Sequence, residues 1–230
     1  MAPNSNVQAG PTSPATVAFI GAGAATALAG AVLLFGLQPA TDLSDDMWRY
    51  PWSSSGAFVG FSIFSAALHG VVIAGLLAFG RSGAVGRSRV AASGMALAVA
   101  GTALLLVGEL ASIPIRDAEV DDTSAVIVGA VFGVASIAST VGFLLTGRAT
   151  LRAGVWHGWR RFTPLATGLW LVVLTPLGLA APTLLHGGVG VYGLCLLAMA
   201  IALHTEPTPA VDSDPVAAGI PGVEPQLERA

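Results

Sequence analysis

Lysine is absent from the chain, and cysteine occurs once, at Cys195. Without lysine there is no Schiff-base chemistry, which excludes a retinal protein. A single cysteine cannot form a disulfide within the chain, so cysteine usage says nothing about redox compartment. Charge is scarce as well. Only 10% of the 230 residues are charged, against roughly 25% in a soluble domain. So small a supply cannot cover a water-facing surface of this size, and lipid must act as solvent for much of the chain. Ten basic residues face 13 acidic ones, for a formal charge of −3, which argues against nucleic acid as a partner. No H-E-x-x-H, G-x-S-x-G or C-x-x-C motif occurs, and no carboxylate pair lies inside an apolar stretch.

What the chain has instead is long uncharged runs, with 54% hydrophobic residues and a mean hydropathy of +0.76. A bilayer core about 30 Å thick needs about 20 apolar residues per helix. Runs of that length lie at 15–37, 56–79, 90–112 and 124–146, the third interrupted only by Glu109. Phe162 to Thr205 is uncharged over 44 residues, too long for one helix and right for two. Pro182 and His186-Gly187-Gly188 are the natural break, giving spans 163–181 and 187–204. Backbone groups in lipid need internal partners, which leaves helices or a closed barrel, and no barrel-like alternation is visible. The expected fold is therefore an all-α polytopic membrane bundle of about six helices. Residues 1–14 are expected to be a disordered cytoplasmic N-terminus. The acidic, proline-rich residues 206–230 are expected to be a disordered cytoplasmic tail. A signal peptide is the alternative for the first run, but it calls for a basic leading segment, and residues 1–14 hold no basic side chain.

Arginine placement sets the orientation. Arg81, Arg87 and Arg89 follow the second run, and Arg148, Arg152, Arg160 and Arg161 follow the fourth. The opposite side carries Arg49 and Arg116 among Asp42, Asp45, Asp46, Asp117, Glu119, Asp121 and Asp122. Both termini are therefore expected inside. Arg81, Arg87, Arg89, Arg160 and Arg161 are placed to meet anionic lipid headgroups. Trp48, Tyr50 and Trp52 mark one membrane boundary, and Trp156 and Trp159 the other. The segment from Leu151 to Phe162 either lies along the inner interface or forms the inner belt between two spans.

Helices in lipid associate at small residues. Gly56 and Gly60 sit four apart, as do Gly129 and Gly133, and the first span carries Gly21, Gly23, Ala27 and Gly30. Packing within the chain is the reading for these stripes, with a homo-oligomer or another membrane protein as the alternative partner. Pro176 falls inside the fifth span, where it removes one backbone donor and predicts a kink.

His69, mid-span, is the leading candidate for function, since ionisable groups at membrane depth are functional by default. It suits proton relay or ligation; the competing reading is an imidazole bonded to a nearby carbonyl. Glu109 lies about 12 Å from the midplane by helical rise. There it reads as an interfacial acid that either reaches water or pairs with Arg116 or Arg49. If turned inward with His69 and His186, it would form a polar pocket. Span centres place Glu109 and His69 about 10 Å apart in depth, too far to share a metal. No second histidine matches His69 for a haem clamp, so no metal and no cofactor is expected. Gly188-Val189-Gly190-Val191-Tyr192-Gly193 fits G-x-G-x-x-G, but it opens a lipid-buried helix without the strand a dinucleotide site requires. Cys195 reads as a small core residue.

The Arg49-Tyr50-Pro51-Trp52 approach to a span holding His69, together with Arg152-Ala153-Gly154-Val155-Trp156-His157-Gly158-Trp159-Arg160-Arg161 leading into Pro164-Leu165, resembles a family of six-helix membrane proteins from high-GC actinobacteria. It covers roughly residues 40–205. The resemblance implies a multi-pass protein of the bacterial plasma membrane and carries no activity. Three functions compete: a non-enzymatic scaffold, sensor or modulator of a membrane partner; a small-solute or proton-linked transporter using His69 and the Pro176 kink; and a membrane redox or lipid-modifying enzyme subunit.

Overall fold

The computed structural model describes residues 13–205. Nearly all of the two expected tails therefore lies outside the described residues. Within them the chain is an all-α bundle of six helices. These are α1 Pro14–Ala40 and α2 Ser55–Arg81, α3 Arg89–Ser112 and α4 Thr123–Ala153, then α5 Thr163–Ala180 and α6 Pro182–His204. Five of them are long and apolar enough to cross a bilayer, which marks a membrane protein. The other, α5, carries no formal charge; its 18 residues rise about 27 Å, close to the hydrocarbon thickness.

Helix ends follow local chemistry. Ser54 and Ser88 cap α2 and α3, their hydroxyls accepting from the amides of Ala57 (3.4 Å) and Ala91 (3.1 Å). Gly154, at φ 66°, ends α4 in a left-handed turn. That end lies seven residues past the expected boundary at Thr146, so Arg148 and Arg152 are helical rather than in a loop. Both side chains are long enough to reach polar surroundings from a helix. The break between α5 and α6 is the single residue Ala181. A residue before proline is pushed to extended backbone, and Ala181 has φ −147°, ψ 75°. Pro182 then opens α6, where its missing donor costs nothing. The expected break across His186-Gly187-Gly188 does not occur; all three residues are helical.

Each helix packs against its neighbours in sequence, and α6 also packs against α1, so the six close into a ring. Glycine sets the close seams. On α1–α6, Gly23 lies against the Leu197 backbone, Gly30 against Gly190, and Gly193 against Ala27. On α3–α4, Gly101 and Gly142 lie against Ser139 and Ala98. On α4–α5, Gly147 and Gly168 lie against Leu165 and Leu144. The first-span stripe is thus used at Gly23, Ala27 and Gly30, whereas the other two expected stripes behave differently. A Cβ at Gly60 or Gly133 would meet nothing within 4 Å. One at Gly56 would reach only Ser54 Oγ, and one at Gly129 only Trp48. Spacing alone does not say which way a stripe faces, and these two are not used for packing within the chain. Large apolar side chains such as Leu28, Phe35, Ile127 and Ile137 are exposed on the outside of the ring, the face that lipid would wet.

The loops at one end are joined. Trp48 N donates to Ala118 O (3.0 Å) and Val120 N to Asp46 O (2.8 Å). Arg49 pairs with Asp117, which also accepts from Ser55 Oγ. At the other end, Trp156 packs its ring on Phe79, with centroids 5.0 Å apart, while Trp159 is exposed. The segment from Leu151 to Phe162 thus turns one tryptophan in and one out. Pro176 sits within α5, which continues to Ala180, and the adjacent Thr175 hydroxyl donates to Leu171 O (2.8 Å).

Candidate functional site

His69 lies on the buried side of α2. Ser62 and Leu76, seven residues either way and hence on the same face, are each 1% exposed. Its Nδ1 lies 2.8 Å from Ser65 O. A carbonyl only accepts, so Nδ1 carries the proton and Nε2 of the neutral ring presents a lone pair. The bond is the local one that the structural reading of His69 required. It occupies one nitrogen and leaves the other to the bundle.

Glu109 shares its face of α3 with Thr102, Ala98 and Ala91, at seven, eleven and eighteen residues' distance. These three are 0%, 0% and 2% exposed. Glu109 therefore lies on the packed face of α3, where Ala98 meets Gly142 of α4, and is itself half-buried. The expected pairing with Arg116 or Arg49 is not formed. Asp117 takes both arginines instead, at 3.4 Å from Arg116 Nε in the second case. Among the described residues Glu109 has no ion pair. The arginines sit in loops beyond the ends of α1 and α3, where Asp117 is their neighbour, whereas Glu109 is still within α3.

The two groups are also closer in depth than span centres imply. Helices α2 and α3 run antiparallel, with Gly70 facing Leu106 and Gly80 facing Met95. In that register His69 is level with residues 106–107 and Glu109 with 66–67, a separation of two to three residues, ~4 Å. The earlier figure assumed that the middles of the charge-free runs lie at one depth; packing offsets them. Helical side chains lean toward their helix N-terminus. On antiparallel helices these two therefore lean toward one another. The structure shows no hydrogen bond between them. Ser62, Ser65 and Thr102, all buried, complete a polar strip in this part of the interior.

His186 is not part of that strip. Near the start of α6 it meets Gln38 of α1, a residue the sequence did not single out. Gln38 Nε2 lies 2.9 Å from His186 Nδ1 and 2.9 Å from Thr183 O. No local motif advertised Gln38; only the α1–α6 seam brings it there. Of the arginines expected at lipid headgroups, Arg81, Arg87, Arg89 and Arg161 are exposed, and Arg160 donates to Thr205 Oγ1 (3.2 Å). No cluster of three or more His, Cys, Asp or Glu suited to a metal occurs among the described residues.

A carboxyl and an imidazole with a free lone pair, both on packed faces of neighbouring helices, can exchange protons or hold a small cation. Comparison with known proteins found no matching family, curated protein or solved structure.

Proposed function

We propose that the protein is a non-enzymatic membrane carrier that passes protons, or a small cation exchanging with them, through a site formed by Glu109 and His69. The alignment of Glu109 with Ala91, Ala98 and Thr102 is the observation that carries this reading. Ionisable groups within membrane spans are rare and mark ion or proton pathways, so a carboxylate on the buried face of α3 calls for a use. In this reading Glu109 takes up the proton and His69 Nε2 receives it, while the Ser65 carbonyl holds the ring in place. The proposal includes six crossings of a bacterial plasma membrane, as the actinobacterial resemblance implies. Both termini lie on the arginine-rich side, where Arg81, Arg87, Arg89, Arg160 and Arg161 contact anionic lipid.

The test is proton flux into liposomes holding purified protein and a trapped pH dye. The wild type should dissipate an imposed gradient faster than empty liposomes. Glu109→Gln, which keeps shape and removes the titration, should slow that flux about tenfold or more, and His69→Ala should also slow it. Flux equal to that of empty liposomes, or a Glu109→Gln variant as fast as wild type, would refute the carrier.

A specific observation also favours the scaffold or sensor reading. Gly60 and Gly133 leave small-residue faces open on the ring exterior, where a second membrane helix fits closely. Cross-linking in native membranes separates the two readings. A partner lost on Gly133→Leu, with proton flux absent, selects the scaffold.

A further inference from the structure

We infer that His186 and Gln38 form an acid-opened latch between the first and last helices. The Thr183 carbonyl can only accept, so the Gln38 atom facing it is the amide nitrogen, 2.9 Å away. That nitrogen has two hydrogens. One goes to Thr183 O, and the other points at His186 Nδ1, also 2.9 Å away. Nδ1 must therefore be the bare nitrogen of a neutral ring, with the proton on Nε2. A second proton on His186 would set an N–H against an N–H. Turning the amide over would satisfy His186 and would then bring the Gln38 oxygen against the Thr183 oxygen. One amide cannot serve both partners once His186 is charged, so at least one of the two bonds is lost.

The surroundings offer the charged ring no compensation. α1 and α5, the helices packed beside this part of α6, contain no charged or titratable residue. On α6 itself the other such groups are Tyr192, Cys195 and His204, at least six residues away. Asp42, four residues past Gln38, is exposed, and no ion pair links it to His186 among the described residues.

The backbone provides the means to move. Residues Leu33–Leu37 form one π turn, in which Gln38 N donates to Leu33 O. Pro39 follows at once, without a donor for Phe35 O. A wide turn bounded by a proline can shift its hydrogen bonds and swing the three residues Gln38–Ala40 without unwinding the rest of α1. Below it the seam is held by Leu34 against Gly187 and by Gly30 against Gly190. The latch is therefore the last polar fastening at that end of the α1–α6 contact. Opening it parts the ring at the end where the 41–54 and 113–122 loops lie.

Two spin labels read the latch directly. In a Cys195→Ser background, cysteines at Ala40 and Leu184, both exposed, carry nitroxides on the two helices, in protein held in nanodiscs. Distances are taken at about pH 7.5 and about pH 4.5, on either side of the ordinary histidine value of about 6.5. The wild-type pair should shift to a longer, broader distribution at the acid pH. His186→Asn keeps an acceptor near the Nδ1 position and cannot be protonated, so it should hold the short distance at both pH values. Gln38→Leu should give the long distribution at both. An unchanged distance in the wild type, or the same acid shift in His186→Asn, overturns the latch. Neither result bears on proton flux through Glu109.

Discussion

At the scale of single residues, glycine divides by what one added methyl would meet. At Gly142 it would run into the Ala98 backbone, and at Gly101 into Ser139. At Gly60 it would meet nothing. Gly142→Ala should therefore lower stability by about 1–3 kcal/mol, the usual cost of overpacking. Gly60→Ala should raise it by about 0.5–1 kcal/mol, the helix-interior preference for alanine. Unfolding in detergent by circular dichroism checks both, and equal shifts for the two would contradict the seam assignment. The chain order reveals that Gly56 and Gly60 share a face, but not which face. These helices are apolar nearly all round, so no polar side marks where lipid ends and protein begins. His69 and Glu109 were legible as rare polar groups in apolar runs. The faces they occupy were not, since those depend on how each helix is rotated in the ring. Gln38 was missed because its partners lie more than 140 residues away in sequence.

Among elements, helix positions were largely readable because charge scarcity marks their limits. The misplacements have physical causes. Helix α4 outruns its charge-free stretch because arginine stems bend toward water, and α6 begins earlier because proline is at home in a first turn. Loop pairing, by contrast, is a tertiary matter. The 41–54 and 113–122 loops are joined by two backbone hydrogen bonds and by the Arg49–Asp117 pair. Asp117 is half-exposed, so Arg49→Ala should cost less than about 1 kcal/mol of stability. Its clearer effect should be local. Amide exchange at Trp48 and Val120 should quicken while helix amides keep their protection. Unchanged exchange at those two amides would show that the ion pair does not hold the loops together.

For the whole molecule, the alternation of arginine-rich and acidic loops makes a direct claim about sides. In intact cells carrying the Cys195→Ser background, an impermeant maleimide should label Asp121→Cys and spare Ser82→Cys, both at exposed positions. Labelling of Ser82→Cys would invert the orientation. Ring closure was not visible in the chain, because parity says only that six helices alternate. The contact between α1 and α6 depends on glycines distant in sequence approaching to backbone contact. That contact bears on how the protein is made. Helix α1 is made before α6, so it meets its largest partner among the described helices only when α6 leaves the ribosome. Until then its glycine face stands open in the bilayer, available to chaperones or to the corresponding face of another nascent copy. Shortened chains ending before Pro182 should therefore be the ones that cellular quality control removes.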